Sequence, residues 1–471
     1  MTVHPSKYRG KEVIILGLAR SGQAVAKLFH EAGAQVVVND RKPREESPEA
    51  ASLEALGIRV ICGGHPDNLV KASTALLIKN PGIPYHAEPV RQAMTLGVPV
   101  VTEVEVAYEL SEVPIIGITG SNGKTTTTSW IGHVLRKAGL SPVVAGNIGT
   151  PLCEAVISDE AKKAGWLVVE LSSFQLKGTS AFRPRIACVL NLYETHLDYH
   201  GTMEDYGGSK AKLIVNMEET DCAVLNADDS FCRLLAGKTR ARKLLFSSRQ
   251  SLEQGVYVQK DEEDGPVIVH RHPSGAVERI VPVSALGIPG SHNVENALAA
   301  TAVCLAAGVD VATIAEGLSD FRGVEHRTEV VAEKDKILFI NDSKATNPTA
   351  TGKGLDAFDR PVVLIAGGLD RGSDYMELLP YFAGKVKGVV ALGETRYKIK
   401  RVAEKAGLRQ IKIVDTGKED APGALQQAVA EAYRMASEGD IVLLSPACAS
   451  WDMFPSYEER GRIFKEAVHT L

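Results

Sequence analysis

A short β-branched apolar run, a glycine-containing turn and an amphipathic stretch of helical period recur along most of the chain, the pattern of parallel βαβ units. The apolar runs fall into three sets. The first comprises 13–18, 35–39, 75–79 and 98–101, followed by the segment 103–113. The second opens at 114–119 and continues at 167–170, 187–192 and 222–226. Between 256 and 283 the period changes to alternating strands with turn signals at Asp264-Gly265 and Pro273-Ser274-Gly275, which predicts a small antiparallel appendage. A helix is expected from about Asn293. The third set holds 337–341, 362–366, 389–392, 411–414 and 441–444, again with helical spacers. The fold class is α/β, with domains expected at 1–106, 107–322 and 323–471.

The length of 471 residues agrees with that division, since it provides for about three cores. Hydrophobic residues at 44%, charged residues at 24%, 43 glycines and 22 prolines exclude a disordered or fibrous chain. No run approaches the roughly 18 apolar residues of a membrane span, and the amino terminus lacks the apolar core of a signal peptide, so a cytoplasmic protein is expected. The seven cysteines are scattered, odd in number and free of CxxC pairs, which argues against a disulfide framework or a zinc knuckle. A net charge of −5 gives no electrostatic reason to expect nucleic acid, while leaving room for a local basic pocket for an anionic ligand.

The strongest chemical signal is the run from Gly117 to Thr126, GITGSNGKTT, placed between an apolar strand and a helical stretch. Gly120, Ser121, Asn122 and Gly123 can turn backbone N–H groups onto a phosphate chain, with Thr126 also at the nucleotide, Lys124 can neutralise the outer phosphates, and the Thr125 hydroxyl after it can ligate Mg²⁺. The spacing departs from GxxxxGK[ST]: Ile118 stands where the first glycine belongs, and Gly117 is one residue early. A glycine-rich turn with an incidental lysine is the alternative. Glu170 ends the next strand, where a Mg²⁺ ligand belongs in a doubly wound sheet, although a solvated glutamate would look the same. His196 and Asp198 follow another strand. Because Mg²⁺ prefers oxygen, spacing alone makes His196 a structural or water-positioning residue.

In the first domain Gly17-Leu18-Ala19-Arg20-Ser21-Gly22 links a strand to a helix, and Asp40 ends the next strand where a Rossmann fold holds a ribose. Ala19 occupies the middle glycine position of GxGxxG, which disfavours NAD. Another phosphorylated ligand remains compatible, and Asn80-Pro81-Gly82 closes a later strand at the same edge. In the third domain, the runs from Asn341 to Pro348 and from Ser445 to Asp452 likewise follow strands directly.

GITGSNGKTT, GNIGTP, ELSSFQL, THLDYHG, PGSHNVENALAA, GVEHRTE, INDSKATNP and LLSPACASWDMF together, in this order over nearly the whole chain, resemble the Mur ligases. The resemblance implies a Rossmann-like domain, a central P-loop ATPase-type parallel sheet and a second Rossmann-like domain that closes over both. It implies ATP-dependent amide synthesis in peptidoglycan precursor assembly by a cytoplasmic monomer acting on small molecules. ELSSFQL and SPACAS point to the member that adds D-glutamate to UDP-N-acetylmuramoyl-L-alanine.

Carried over position by position, the resemblance places Lys124 on the β and γ phosphates, Thr125 and Glu170 on one Mg²⁺, and His196 on a second. Lys210 matches the lysine that the family carbamylates to ligand that second ion, though Gly207 and Gly208 weaken its helix and Lys212 is close by. Asn293 and Asn296 would face adenine, Asp342 the ribose, and Lys344 with Arg327 the phosphates. Arg20, Ser21, Gly22, Asp40, Asn80 and Gly82 would hold the uridine diphosphate, and Asn147 and Ser172 the muramoyl-alanine side. D-glutamate would meet Thr346, Arg371, Ser450 and Tyr457. The rivals within the superfamily are a different amino-acid-adding Mur enzyme and a folate-polyglutamating ligase; the first domain, a separate uridine-nucleotide module, speaks against the folate reading. A nucleotide-sensing switch and an oxidoreductase are the rivals from other classes.

Overall fold

The computed structural model describes residues 2–415 and 418–471, and three sheets organise them. In the first, β1 (Glu12–Leu16), β2 (Gln35–Asp40), β3 (Arg59–Cys62), β4 (Leu76–Lys79) and β5 (Val100–Val101) run parallel in the order β3-β2-β1-β4-β5. Its order reverses between β1 and β4, the crevice where open α/β sheets take ligands. β1 stops at Leu16, short of the predicted run, because Gly17 turns the chain at φ +99°.

The second sheet holds β6 (Ile115–Thr119), β7 (Pro142–Gly146), β8 (Trp166–Glu170), β9 (Ile186–Val189), β10 (Cys222–Asn226), β11 (Arg242–Ser247), β12 (Gly255–Asp261), β13 (Gly265–Arg271) and β14 (Val277–Pro282). Its order is β14-β13-β12-β11-β10-β9-β6-β8-β7. The antiparallel strands predicted between 256 and 283 are present. They extend the main sheet, since β12 pairs in parallel with β11 before the hairpins turn back. The segment 103–110 is the helix Glu103–Leu110. Buried Glu105 accepts hydrogen bonds from the amides of Ser180, Ala181 and Phe182 at 3.0, 2.6 and 3.2 Å.

The third sheet holds β15 (Glu329–Lys334), β16 (Ile337–Asn341), β17 (Val362–Ala366), β18 (Val386–Ala391), β19 (Gln410–Ile413) and β20 (Ile441–Leu444), in the order β15-β16-β20-β17-β18-β19. Only β15 is antiparallel to its neighbour. Alternation sends Phe339, Val363, Ile365, Val442 and Leu444 to one core and Ile340, Val362, Leu364, Ile441 and Leu443 to the other, as a sheet covered on both faces requires.

The first two sheets belong to one compact unit, Met1–Ala285 with Glu295–Leu318, and share a continuous core from Val13 and Ile15 to Val169 and Val189. The third sheet belongs to a second unit, Leu286–Val294 with Ser319–Leu471. Six of the seven free cysteines are buried, Cys62 being the half-exposed one, and they behave as small apolar residues. Among the described residues no helix is long and apolar enough to cross a membrane.

Candidate functional site

β6, β8 and β9 are neighbours, so their carboxyl ends bring 120–126, 170–172 and 191–196 to one edge of the second sheet. After β6 the chain passes through Gly123 at φ +83° and enters the helix Lys124–Lys137. A side chain at Gly123 would meet Asn296 Oδ1 at 2.3 Å, and one at Gly120 would meet Leu190 Cβ at 2.9 Å. The early glycine has a different purpose: Gly117 lies within β6, where a Cβ would fall 2.7 Å from Leu213, so it serves packing and the loop proper starts at Gly120. Gly123→Ala is therefore expected to cost about 1–2 kcal/mol in left-handed backbone strain, plus displacement of Asn296. Calorimetry should show a lower melting temperature and ATP titration a weaker affinity.

Neighbouring segments fix the loop. The Asn122 amide donates to Asn191 Oδ1 at 2.9 Å, and the Ser121 amide donates to Asn191 O at 3.0 Å. Ser121 Oγ lies 3.0 Å from the Tyr206 hydroxyl. Lys124 Nζ donates to the carbonyls of Gly120 and Ser121 at 2.9 and 3.0 Å, so the cation stands over the loop. Thr125 is buried in the first turn of the helix and Thr126 is half-buried. Asn191 escaped the sequence reading as a site residue, because a lone asparagine after a strand gives no spacing signal.

Buried Glu170 ends β8, and its Oε1 accepts from Asn147 Nδ2 at 2.7 Å. Its Oε2 is buried with no hydrogen-bond partner among the described residues, an arrangement that suits a cation. Ser172 caps the helix Ser173–Lys177 in a reciprocal box with Gln175. His196 sits at φ +58° with its ring 5.0 Å from that of Phe174. Burial, then Lys124 and Lys210, lower its pKa.

Lys210 lies on the helix Met203–Ala211, which forms despite its two glycines. A Cβ at Gly207 would press within 3.0 and 3.1 Å of Phe231 and Leu192, so that glycine permits close packing, whereas Gly208 faces open space. Lys210 is 1% exposed, donates to Gly120 O at 2.8 Å and stands 4.7 Å over the Tyr206 ring. Burial first, then repulsion from Lys124, push its pKa down to about 6. Lys212 points elsewhere, donating to the carbonyls of Lys177 and Thr179 at 2.6 and 2.8 Å. The orphaned Glu170 oxygen makes this edge a fit for Mg²⁺.

In the first sheet Ser21 Oγ donates to Asn80 Oδ1 at 3.1 Å across the β1/β4 crevice. Gly22 is required there, since a Cβ would lie 2.1 Å from Gly17 O, while Gly82 meets nothing within 4 Å. Arg20 reaches Gly149 O at 3.4 Å, on the loop that also carries Asn147. Asp40 accepts from the amides of Leu18 and Lys42, at 2.8 and 2.9 Å, so its carboxylate shapes the turn.

In the second unit, 342–346, 367–371 and 445–450 follow β16, β17 and β20, three adjacent strands. Asp342 is buried, accepts from Ser445 Oγ at 2.8 Å and from the Thr328 amide at 3.2 Å, and burial pushes its pKa up to about 6. The Lys344 amide donates to His326 O at 2.9 Å, and its Nζ stands 5.4 Å over the Tyr457 ring. Arg327 contributes positive charge facing Asp342. Asn293 donates to Pro289 O at 2.6 Å in this unit, while in the first unit Asn296 accepts from Thr127 at 3.2 Å. Ser450 is buried, Thr346 half-buried, and exposed Arg371 stacks 4.9 Å over Trp451. Buried Arg460 joins two of these loops, donating to Ser343 Oγ, Ser343 O and Cys448 O at 3.0, 2.8 and 3.2 Å. It is a positioning residue that no motif announced, since an arginine inside an ordinary amphipathic helix reads as solvated.

Three family profiles match the chain in sequence: a Mur ligase MurD-like N-terminal domain over 11–102, a Mur ligase middle domain over 118–304, and a Mur ligase glutamate ligase domain over 326–448. Relatives named UDP-N-acetylmuramoylalanine--D-glutamate ligase are 49% identical in Geobacillus kaustophilus and 47% in Bacillus mycoides, covering 98% and 99% of both chains respectively. The fold is similar to that of the solved UDP-N-acetylmuramate-alanine ligase MurC of Thermotoga maritima, with TM-score 0.57 and 20% identity over 98% of this chain and 99% of that one. It is similar also to MurF of Acinetobacter baumannii, with TM-score 0.56 and 17% identity over 99% and 93%. A phosphate-binding loop flanked by a buried carboxylate, and likeness over the full length, place the chain in the Mur ligase family, whose members use ATP and Mg²⁺ to form the amide bonds of peptidoglycan precursors.

Proposed function

We propose that this enzyme joins the amine of D-glutamate to the alanine carboxylate of UDP-N-acetylmuramoyl-L-alanine, converting ATP to ADP and phosphate. What carries the reading is that relatives bearing this activity in their names align over 98–99% of the chain at 47–50% identity. A carboxylate is a poor electrophile. Attack of its oxygen on the γ-phosphorus makes an acyl phosphate; the amine then adds to the acyl carbon, and the tetrahedral adduct expels phosphate as the amide forms. Such chemistry asks mainly for positioning and charge neutralisation.

On this reading Gly120, Ser121, Asn122, Gly123 and Thr126 wrap the triphosphate while Lys124 neutralises its outer oxygens. Thr125 and Glu170 would hold one Mg²⁺, and His196 with a carbamate on Lys210 a second; the ions, when bound, supply positive charge to the phosphate oxygens. Lys210 suits carbamylation because the depressed pKa leaves a neutral, nucleophilic amine at pH 7–8. Asn293 and Asn296 are assigned to adenine, Asp342 to ribose hydroxyls, and Arg327 and Lys344 to phosphate charge. Arg20, Ser21, Gly22, Asn80 and Gly82 are assigned to the uridine diphosphate, with Asp40 acting through the turn it braces, and Asn147 and Ser172 to the muramoyl-alanine end. Thr346, Arg371, Ser450 and Tyr457 are assigned to D-glutamate.

The reading divides the chain into domains at 1–106, 107–322 and 323–471. All the groups assigned to the reaction come from one chain, which supports a monomer, and ATP and UDP-sugar substrates support a cytoplasmic location. Phosphate release measured with each amino acid in turn checks the assignment. Strict dependence on D-glutamate together with UDP-N-acetylmuramoyl-L-alanine is expected; hydrolysis independent of both would mark a nucleotide switch instead.

A further inference from the structure

The Asn80–Gly82 turn is tied to the second sheet by two side chains that no part of the mechanism uses. Lys79, at the end of β4, is 1% exposed. Its Nζ donates to the carbonyls of Asn80, Pro81 and Ile83 at 3.4, 3.2 and 2.8 Å and to the Tyr199 hydroxyl at 3.1 Å. That hydroxyl donates to the same Pro81 and Ile83 carbonyls, at 3.1 and 3.2 Å. An ammonium ringed by carbonyls and a phenol, with the Tyr85 ring 4.8 Å beneath it, holds the turn in one conformation. Burial, then repulsion from Lys177, push the Lys79 pKa down to about 7, so these neutral oxygens are what hold its third proton near neutral pH; Lys177 is itself paired with Asp205 at 2.6 Å.

Tyr199 continues the connection. Its ring packs edge-on against Phe174 at 4.5 Å, and Phe174 packs in turn against His196 at 5.0 Å. Turn, cation, phenol and two rings form one packed line from the β1/β4 crevice to the phosphate-loop edge, within a single compact unit. We infer that Lys79 and Tyr199 are positioning residues that preset the Asn80–Gly82 turn for the diphosphate of the UDP substrate and couple it to the His196 segment. A phosphate oxygen binds well only to an N–H that already faces it. Because Asn80 and Ile83 each precede a proline, the group concerned is the Gly82 N–H, whose direction is fixed by the Pro81 carbonyl that Lys79 and Tyr199 both hold.

The inference rests on the proposed seating of the UDP moiety, and the test separates the two. Tyr199→Phe removes one hydroxyl and keeps the ring. It is expected to raise the KM for UDP-N-acetylmuramoyl-L-alanine about three- to tenfold, the worth of a lost hydrogen bond, with the KM for ATP unchanged. Lys79→Met should act in the same direction, and the double variant should be less than multiplicative, because both groups hold the same carbonyls. Hydrogen exchange of the Gly82 and Ile83 amides in the substrate-free enzyme should quicken in Tyr199→Phe. Equal effects on both substrates, or unchanged kinetics beside a lower melting temperature, would reduce the pair to a structural role and overturn the inference. Asn80→Ala is the control for the seating: if it weakens the UDP substrate while Tyr199→Phe does not, only the clamp fails, and if Asn80→Ala has no effect, the seating itself fails.

Discussion

Lys210→Ala is expected to lower the ligation rate by about 10²–10³, the usual loss when a charge that stabilises the transition state is removed, and formate or acetate should restore part of it. The amine is buried, faces the Lys124 cation and bonds to the Gly120 carbonyl of the phosphate loop. As an ammonium it would add a second positive charge to an edge already carrying one. As a carbamate, formed when the neutral amine attacks CO₂ and loses a proton, it becomes an anion at the Gly120 end of the loop, facing the Lys124 cation. A small carboxylic acid entering the space left by the side chain replaces that anion, which gives rescue its meaning.

The variant should also fold. The unmodified lysine costs stability fully below about pH 6, and the cost falls as pH rises toward 10.5, because in that range the unfolded chain keeps a proton the folded chain lacks. At neutral pH part of the cost remains, and removal of the side chain relieves it. A carbamate resonance in ¹³C spectra recorded with labelled bicarbonate should vanish in Lys210→Ala and persist in Lys212→Ala. Rescue at Lys212 and none at Lys210 would transfer the assignment.

Lys124→Met should reduce kcat by a similar factor, about 10²–10³, and raise the KM for ATP. Two effects add here. The variant removes the cation that neutralises the outer phosphates, and it releases the Gly120 and Ser121 carbonyls that Lys124 now holds. A third consequence has a definite sign. Lys124 is among the causes that depress the pKa values of both Lys210 and His196, so its loss raises both. Less Lys210 is then neutral at a given pH, and the acid limb of the pH–rate profile should move to higher pH. A profile that keeps its acid limb in place would mean that the two amines do not share a field.

Several site residues were legible because they follow β-branched runs directly. Gly120 to Thr126, Glu170, His196 and Asn341 to Lys344 all follow parallel strands whose burial on both faces forces an apolar, readable composition. β3, β7 and β11 were missed for the converse reason: each has residues open to solvent, so Arg59, Pro142 and the Arg242-Lys243 pair break the apolar pattern. β15, an antiparallel edge, is half-buried apart from exposed Glu333 and equally mixed.

By itself the sequence determined the α/β class, the strand-to-loop junctions that carry phosphate chemistry and the family, since each is written in local composition and spacing. Tertiary structure decided what depends on direction in space. It separated Lys210 from Lys212 by aiming one amine at Gly120 and the other at Lys177, made Gly117 a packing residue through Leu213, turned Asp40 onto its own loop, and gathered Lys79, Tyr199 and Arg460 into buried polar contacts. No local pattern encodes these, because residues far apart in the chain, brought together only by the packed sheets, supply the partners.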